Sequence, residues 1–132
     1  MDEIEKVLLV EDDKVEVLKF KRVLKQLEIK SEFSISKNGE EALNYLKNEE
    51  TELPDLILLD LNMPRMNGFE FLEAIKNTEY EKIPVIILTT SNSDQDIEKS
   101  KEYTIKGYVV KPIRYEDYKL EMKHIFNKAL SI

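Results

Sequence analysis

The sequence predicts an α/β domain: an open, doubly wound parallel sheet of five strands with helices on both faces. Two observations carry that prediction. Short Val-, Ile- and Leu-rich runs alternate with segments of helical period throughout the 132 residues, and parallel strands need a crossover each, almost always a right-handed one through a helix. Two of the runs also end abruptly on carboxylates, "VLLVEDD" at 7–13 and "LILLDLNMPRMNG" at 56–68. Ligands collect beyond the carboxyl ends of strands in such sheets.

Each element has its own signal. "IEKVLLV" (4–10), "SEFSIS" (31–36), "DLILLD" (55–60), "PVIILTT" (84–90) and "GYVV" (107–110) read as strands, the continuously apolar ones suiting the buried middle of a sheet. The first helix follows "EDD", where Asp13 reads as its cap. Val17, Phe20, Leu24 and Leu27 share one of its faces, with Lys19, Lys21 and Lys25 outside it. A second helix opens after "KNG" near Glu40 and a third after "MNG" near Phe69. The fourth, over 94–104, is weak: Asp94 caps it and only Ile97, Ser100 and Thr104 mark an inner face. Tyr118, Met122, Ile125 and Ala129 give the fifth its buried stripe.

Composition narrows the function. One domain, 1–132, accounts for the length, and a chain of this size buries roughly two thirds of its unfolded surface. The net charge is −7, from 20 Lys and Arg against 27 Asp and Glu, and no basic tract or zinc spacing is present, which argues against nucleic-acid binding. The absence of cysteine removes disulfide and thiol chemistry. "MDEIEK" is charged, and "LILL" and "VIIL" are too short to span a membrane, so a cytoplasmic location is expected.

Parallel strands point their carboxyl ends to one edge, which brings Glu11 and Asp12 to face Asp60 if the first and third strands are neighbours. Crowded carboxylates are unfavourable without a proton or a cation between them. Hard oxygen ligands with room for water and phosphate suit Mg²⁺. Thr89 and Lys111, ending the fourth and fifth strands, belong to the same edge. A hydroxyl, an ammonium, a cation and a carboxylate nucleophile make a phosphoryl site in which Asp60 attacks in line and becomes an acyl phosphate.

"LLVEDD", "LILLDLNMPRMNGFEFL", "IPVIILTT" and "GYVVKP" resemble, in order and spacing, the receiver domain of two-component response regulators across nearly the whole chain. The resemblance implies a flavodoxin-like sheet of order 2-1-3-4-5, phosphorylation of Asp60 from a histidine kinase or histidine phosphotransfer protein, and Mg²⁺, with Mn²⁺ an alternative. It assigns Glu11, Asp12, Asp60 and the main-chain carbonyl of Asn62 to the metal. Thr89 and Lys111 would contact the phosphoryl group, and Thr89 with Tyr108 would form the switch. It also implies a cis bond at Lys111-Pro112. No output domain is expected after the fifth helix, and "KNEETELPD", "KNTEYEKIP" and "LTTS" look like stand-alone regulators that partner phytochrome-type sensor kinases. The implied partners are that kinase and a downstream protein; the chain would act as a monomer or a weak homodimer, without membrane contact.

One stretch departs from the family: "EYTIKGY" stands where receivers carry a small Ala-Gly pair. Tyr108 could merely cover an edge strand. Thr90 faces away from Thr89 along an alternating strand and reads as structural, and His124 reads as a surface residue. A flavin carrier needs amides and hydroxyls in its first loop, where "VEDDK" offers carboxylates. An aspartate-nucleophile phosphatase needs a second acid two residues after the nucleophile, where Asn62 stands and cannot deliver a proton. Self-dephosphorylation would therefore be slow, and the protein would be no turnover enzyme. The alternative function is a phosphate-independent interaction module of the same fold.

Overall fold

A computed structural model describes residues 4–130, with side chains through Asn127. Strands β1 (Lys6–Val10), β2 (Glu32–Ser36), β3 (Leu56–Leu59), β4 (Val85–Thr89) and β5 (Gly107–Val110) form one parallel sheet of order β2-β1-β3-β4-β5. Helices α1 (Lys14–Gln26), α2 (Gly39–Lys47), α3 (Gly68–Ile75), α4 (Asp94–Ser100) and α5 (Tyr115–Leu130) supply the crossovers and close the chain. The predicted fold class and strand order are those observed.

β1, β3 and β4 are continuously apolar because both faces are covered. Leu8, Val10, Ile57, Leu59 and Ile87 meet Ala42, Leu46, Phe71 and Leu72 of α2 and α3. The alternate residues Val7, Leu9, Leu56, Leu58, Ile86 and Leu88 meet Phe20, Val23, Tyr118 and Met122 of α1 and α5. Each such aliphatic side chain contributes roughly 1.5–3 kcal/mol by burial. These central strands are packed from both sides up to their carboxyl edge. Asp13 caps α1 by accepting from the Val15 amide, as its position predicts, and the capping box of Asn67 and Glu70 starts α3.

Several expectations are corrected. The Lys111-Pro112 bond is trans, as is every peptide bond described; the X-Pro amide keeps a trans preference of about 0.5–1 kcal/mol. Ser93, not Asp94, caps α4, its hydroxyl accepting from the Asp96 amide. α4 ends at Ser100, its one buried residue, and leaves Thr104 exposed beyond it, since too few apolar side chains remain to extend it. Lys19 is turned inward: its Nζ lies 4.4 Å from the centroid of the Tyr118 ring and bonds Glu16. A 3-10 turn at Glu79–Lys82, capped by Thr78, lies between α3 and β4. Thr90 lies past the end of β4 and is exposed rather than packed, and His124 is exposed as expected. The side chain of Ala129 lies outside those described.

Candidate functional site at the carboxyl edge of the sheet

Backbone pairing sets the site. Past the end of β1 the Glu11 amide donates to Ser36 O, the Asp60 amide to Val10 O, and the Lys111 amide to Thr89 O, so these side chains leave the sheet from one edge. The loop after β3 is clamped between helices: Gly39 N donates to Met66 O and Gly68 N to Leu61 O. Within it Arg65 adopts a left-handed φ of 67°, which costs about 1 kcal/mol for a residue with a Cβ. A Cβ on Gly68 would stand 2.5 Å from the Asp60 carbonyl oxygen, so only glycine lets α3 begin this close to the nucleophile candidate.

The four predicted chemical groups come together. Glu11, Asp60, Thr89 and Lys111 are all buried, a costly arrangement for three ionisable side chains. Lys111 Nζ donates to Glu11 Oε1 at 2.5 Å, and the Asp13 amide donates to Glu11 Oε2 at 3.1 Å. Burial pushes the Glu11 carboxyl up to about 7; Lys111 works against that rise and the neighbouring Asp60 charge adds to it. Asp60 is also pushed upward by burial, opposed by Lys111, the Thr89 hydroxyl and the amides of Asn62 and Leu61. For Lys111 burial disfavours the ammonium, but Glu11, Asp60 and Glu16 outweigh it and raise its pKa above 10.5.

The acidic side chains fit a divalent cation. Glu11, Asp12 and Asp60 each offer one carboxylate oxygen, all within 4.8 Å of one another. Asp12 is exposed, which leaves one side of the cluster open to water, as Mg²⁺ requires. Buried carboxylates whose pKa values are raised gain most from a second positive charge beside Lys111.

Tyr108 is tied to this edge by a short chain. Its hydroxyl donates to the Ser91 carbonyl at 2.9 Å, Ser91 N donates to Thr89 Oγ1 at 3.3 Å, and Ser91 Oγ bonds Asp96 on α4 at 2.5 Å. The departing stretch "EYTIKGY" has a role of its own: Tyr103 stacks on Phe69 of α3 at 6.2 Å between centroids and donates to Glu73 at 3.0 Å.

The family model described as the response regulator receiver domain matches residues 7–123. The chain belongs to the response regulator receiver family. This receiver is 35% identical to the probable methanogenesis regulatory protein FilR2 of Methanothrix harundinacea, over 90% of this chain and 79% of that one. It is 38% identical to response regulator Rcp1 of Synechocystis sp., over 84% of this chain and 79% of the relative. The crystal structure of the Mn²⁺-bound form of Rcp1 superposes with a TM-score of 0.83 over 92% of this chain and 91% of that one, at 35% identity. The phosphorylated cyanobacterial phytochrome response regulator RcpA superposes with a TM-score of 0.88 over 97% and 95%, at 32% identity. Two-component phosphorelay signalling is therefore the business of this receiver.

One residue at the receiver's site escaped the sequence reading. Glu16 lies in the first turn of α1, 3.5 Å from Lys111 Nζ. It is spaced four and seven residues before the buried Phe20 and Val23, and a carboxylate in the register of a buried stripe was the available signal. No helix among the described residues is long and apolar enough to cross a membrane. A groove of about 770 Å³ between β5 and α5, lined by Val109, Leu120 and Ile125, lies apart from the carboxylates.

Proposed function

We propose that Asp60 is the phosphoacceptor of a phosphorelay and that its phosphorylation changes the partner-binding surface around α4, β5 and α5. The observation that carries the reading is the convergence of Asp60, Glu11, Thr89 and Lys111, all buried, at one sheet edge. An Asp60 Oδ attacks the phosphorus of a phosphohistidine; the P–N bond breaks and its electron pair stays on the imidazole nitrogen. Glu11, Asp12, Asp60 and the Asn62 carbonyl would hold a divalent cation, which would supply positive charge to the phosphoryl oxygens. Lys111 moves from Glu11 toward one of those oxygens, and the Thr89 hydroxyl donates to another. The shift of Thr89 reaches Tyr108 and α4 through Ser91.

Hydrolysis returns the carboxylate when water attacks phosphorus and the acyl P–O bond breaks, releasing inorganic phosphate. Asn62 lends that step no proton, so it is slow and no external substrate is turned over. The donor is a protein: Val15 and Leu18 on α1 and the fully exposed Ile113 after Lys111 are apolar surface near the edge. The likeness to RcpA favours a phytochrome-type histidine kinase, or a phosphotransfer protein charged by one, in the cytoplasm. Monomer and weak homodimer both fit a single receiver whose target is a second protein.

Intact mass after incubation with Mg²⁺ and acetyl phosphate tests the reading. One added phosphoryl group is expected, dependent on the metal and absent from Asp60→Asn. A protein that gains no mass with any divalent cation is instead a phosphate-independent interaction module.

A further inference from the structure

Glu16 has no part in the chemistry above, yet it reaches the same ammonium. Its Oε1 is the one buried side-chain oxygen or nitrogen without a hydrogen-bond partner among the described residues. Its Oε2 accepts from Lys19 Nζ at 3.2 Å, and the Tyr118 ring lies under that lysine, so the carboxylate is held in place from behind. Lys111 Nζ thus reaches two carboxylates, 2.5 Å from Glu11 Oε1 and 3.5 Å from Glu16 Oε1, with Asp60 a further negative charge acting on it. A move of roughly 0.7 Å would bring the second contact to an ordinary charged hydrogen bond. A buried oxygen without a donor costs stability, and the cost is offset in any state where Lys111 takes that place.

We propose that Glu16 is a positioning residue, the second seat of the Lys111 ammonium when Glu11 is engaged by a divalent cation. The inference rests on the phosphoacceptor reading and its metal. The ammonium and a cation compete for Glu11 Oε1. The cation would engage Asp60 as well as Glu11, so it is Glu16 that keeps Lys111 from becoming a buried charge without a partner. It also stays at the sheet edge, within reach of an incoming phosphoryl oxygen.

The test is calorimetric titration of Mg²⁺ into the wild type, Glu16→Gln, Glu16→Asp, Lys111→Met and the double variant E16Q/K111M. Affinity should fall about tenfold in E16Q, a size typical of close charge pairs, and be largely rescued in E16D. In the K111M background E16Q should change nothing further, because no ammonium needs a seat. An equal loss in both backgrounds would make Glu16 a distant negative charge, and no loss in the wild-type background would mean that Lys111 releases Glu11 unaided; either result overturns the proposal. Glu16→Met, which keeps the volume without the charge, replaces E16Q if circular dichroism shows that variant unfolded. A wild type that neither binds Mg²⁺ nor gains mass from acetyl phosphate overturns the phosphoacceptor reading instead.

Discussion

Lys111 and Glu11, one hundred residues apart in the chain, form an ion pair of 2.5 Å with both side chains withdrawn from water. The pair joins the outer strand β5 to the central strand β1 across the site. It also places a positive charge on one of the three carboxylates that could hold a divalent cation, so site electrostatics and fold stability are coupled through the same two residues.

Replacing Lys111 with Ala leaves Glu11 beside Asp60 with its counter-charge gone. Stability in EDTA should fall by roughly 3 kcal/mol, the usual cost of breaking a buried pair from one side. Mg²⁺ should restore more stability to the variant than to the wild type. Urea midpoints with and without Mg²⁺ measure both. The variant should still gain mass from acetyl phosphate, while Tyr108 loses its response.

The pH dependence has a defined sign. Glu11 titrates at about 7 in the native state, against 4.5 as its ordinary value, so its ion pair with Lys111 is fully charged only above that pH. Between those values the native state binds more protons than the unfolded one, so this group's contribution makes stability fall as pH rises from 4.5 to about 7. Asp60, raised above 3.8, acts in the same direction. Urea midpoints in EDTA from about pH 4 to about pH 8 should show a downward component that weakens in Glu11→Gln.

Asp60→Asn removes a buried carboxylate from a crowded cluster and keeps its shape. It should abolish the mass gain from acetyl phosphate and raise stability in EDTA by roughly 1 kcal/mol. Survival of the mass gain would move the phosphoacceptor elsewhere.

Gly68→Ala should be costly for a steric reason alone. The added Cβ meets the Asp60 carbonyl oxygen at 2.5 Å and Leu61 Cα at 2.9 Å, both backbone atoms that cannot turn aside. A loss of about 3 kcal/mol is expected in the thermal or urea transition, together with slower phosphoryl uptake as Asp60 is displaced.

The strands were legible because β1, β3 and β4 are buried on both faces and so carry unbroken aliphatic runs. Glu11, Asp60, Thr89 and Lys111 were legible as strand-end residues, since parallel strands share an edge. Their pairing was not: the Lys111 to Glu11 contact depends on side-chain reach across the sheet, which no local pattern encodes. Glu16 was missed because a charged residue within an amphipathic helix reads by default as solvated. The cap of α4 was misplaced by one residue because Ser93 and Asp94 are both good caps and only backbone geometry separates them.

α4 buries Ser100 and no apolar side chain fully. A helix that contributes so little to the core can exchange its outer residues at small thermodynamic cost, whereas a change in β3 or β4 disturbs both layers at once. Sequence drift is therefore cheapest at α4, the helix tied through Asp96 and Ser91 to Tyr108. A substitution on the outer face of α4 thus leaves the packing under Asp60 undisturbed.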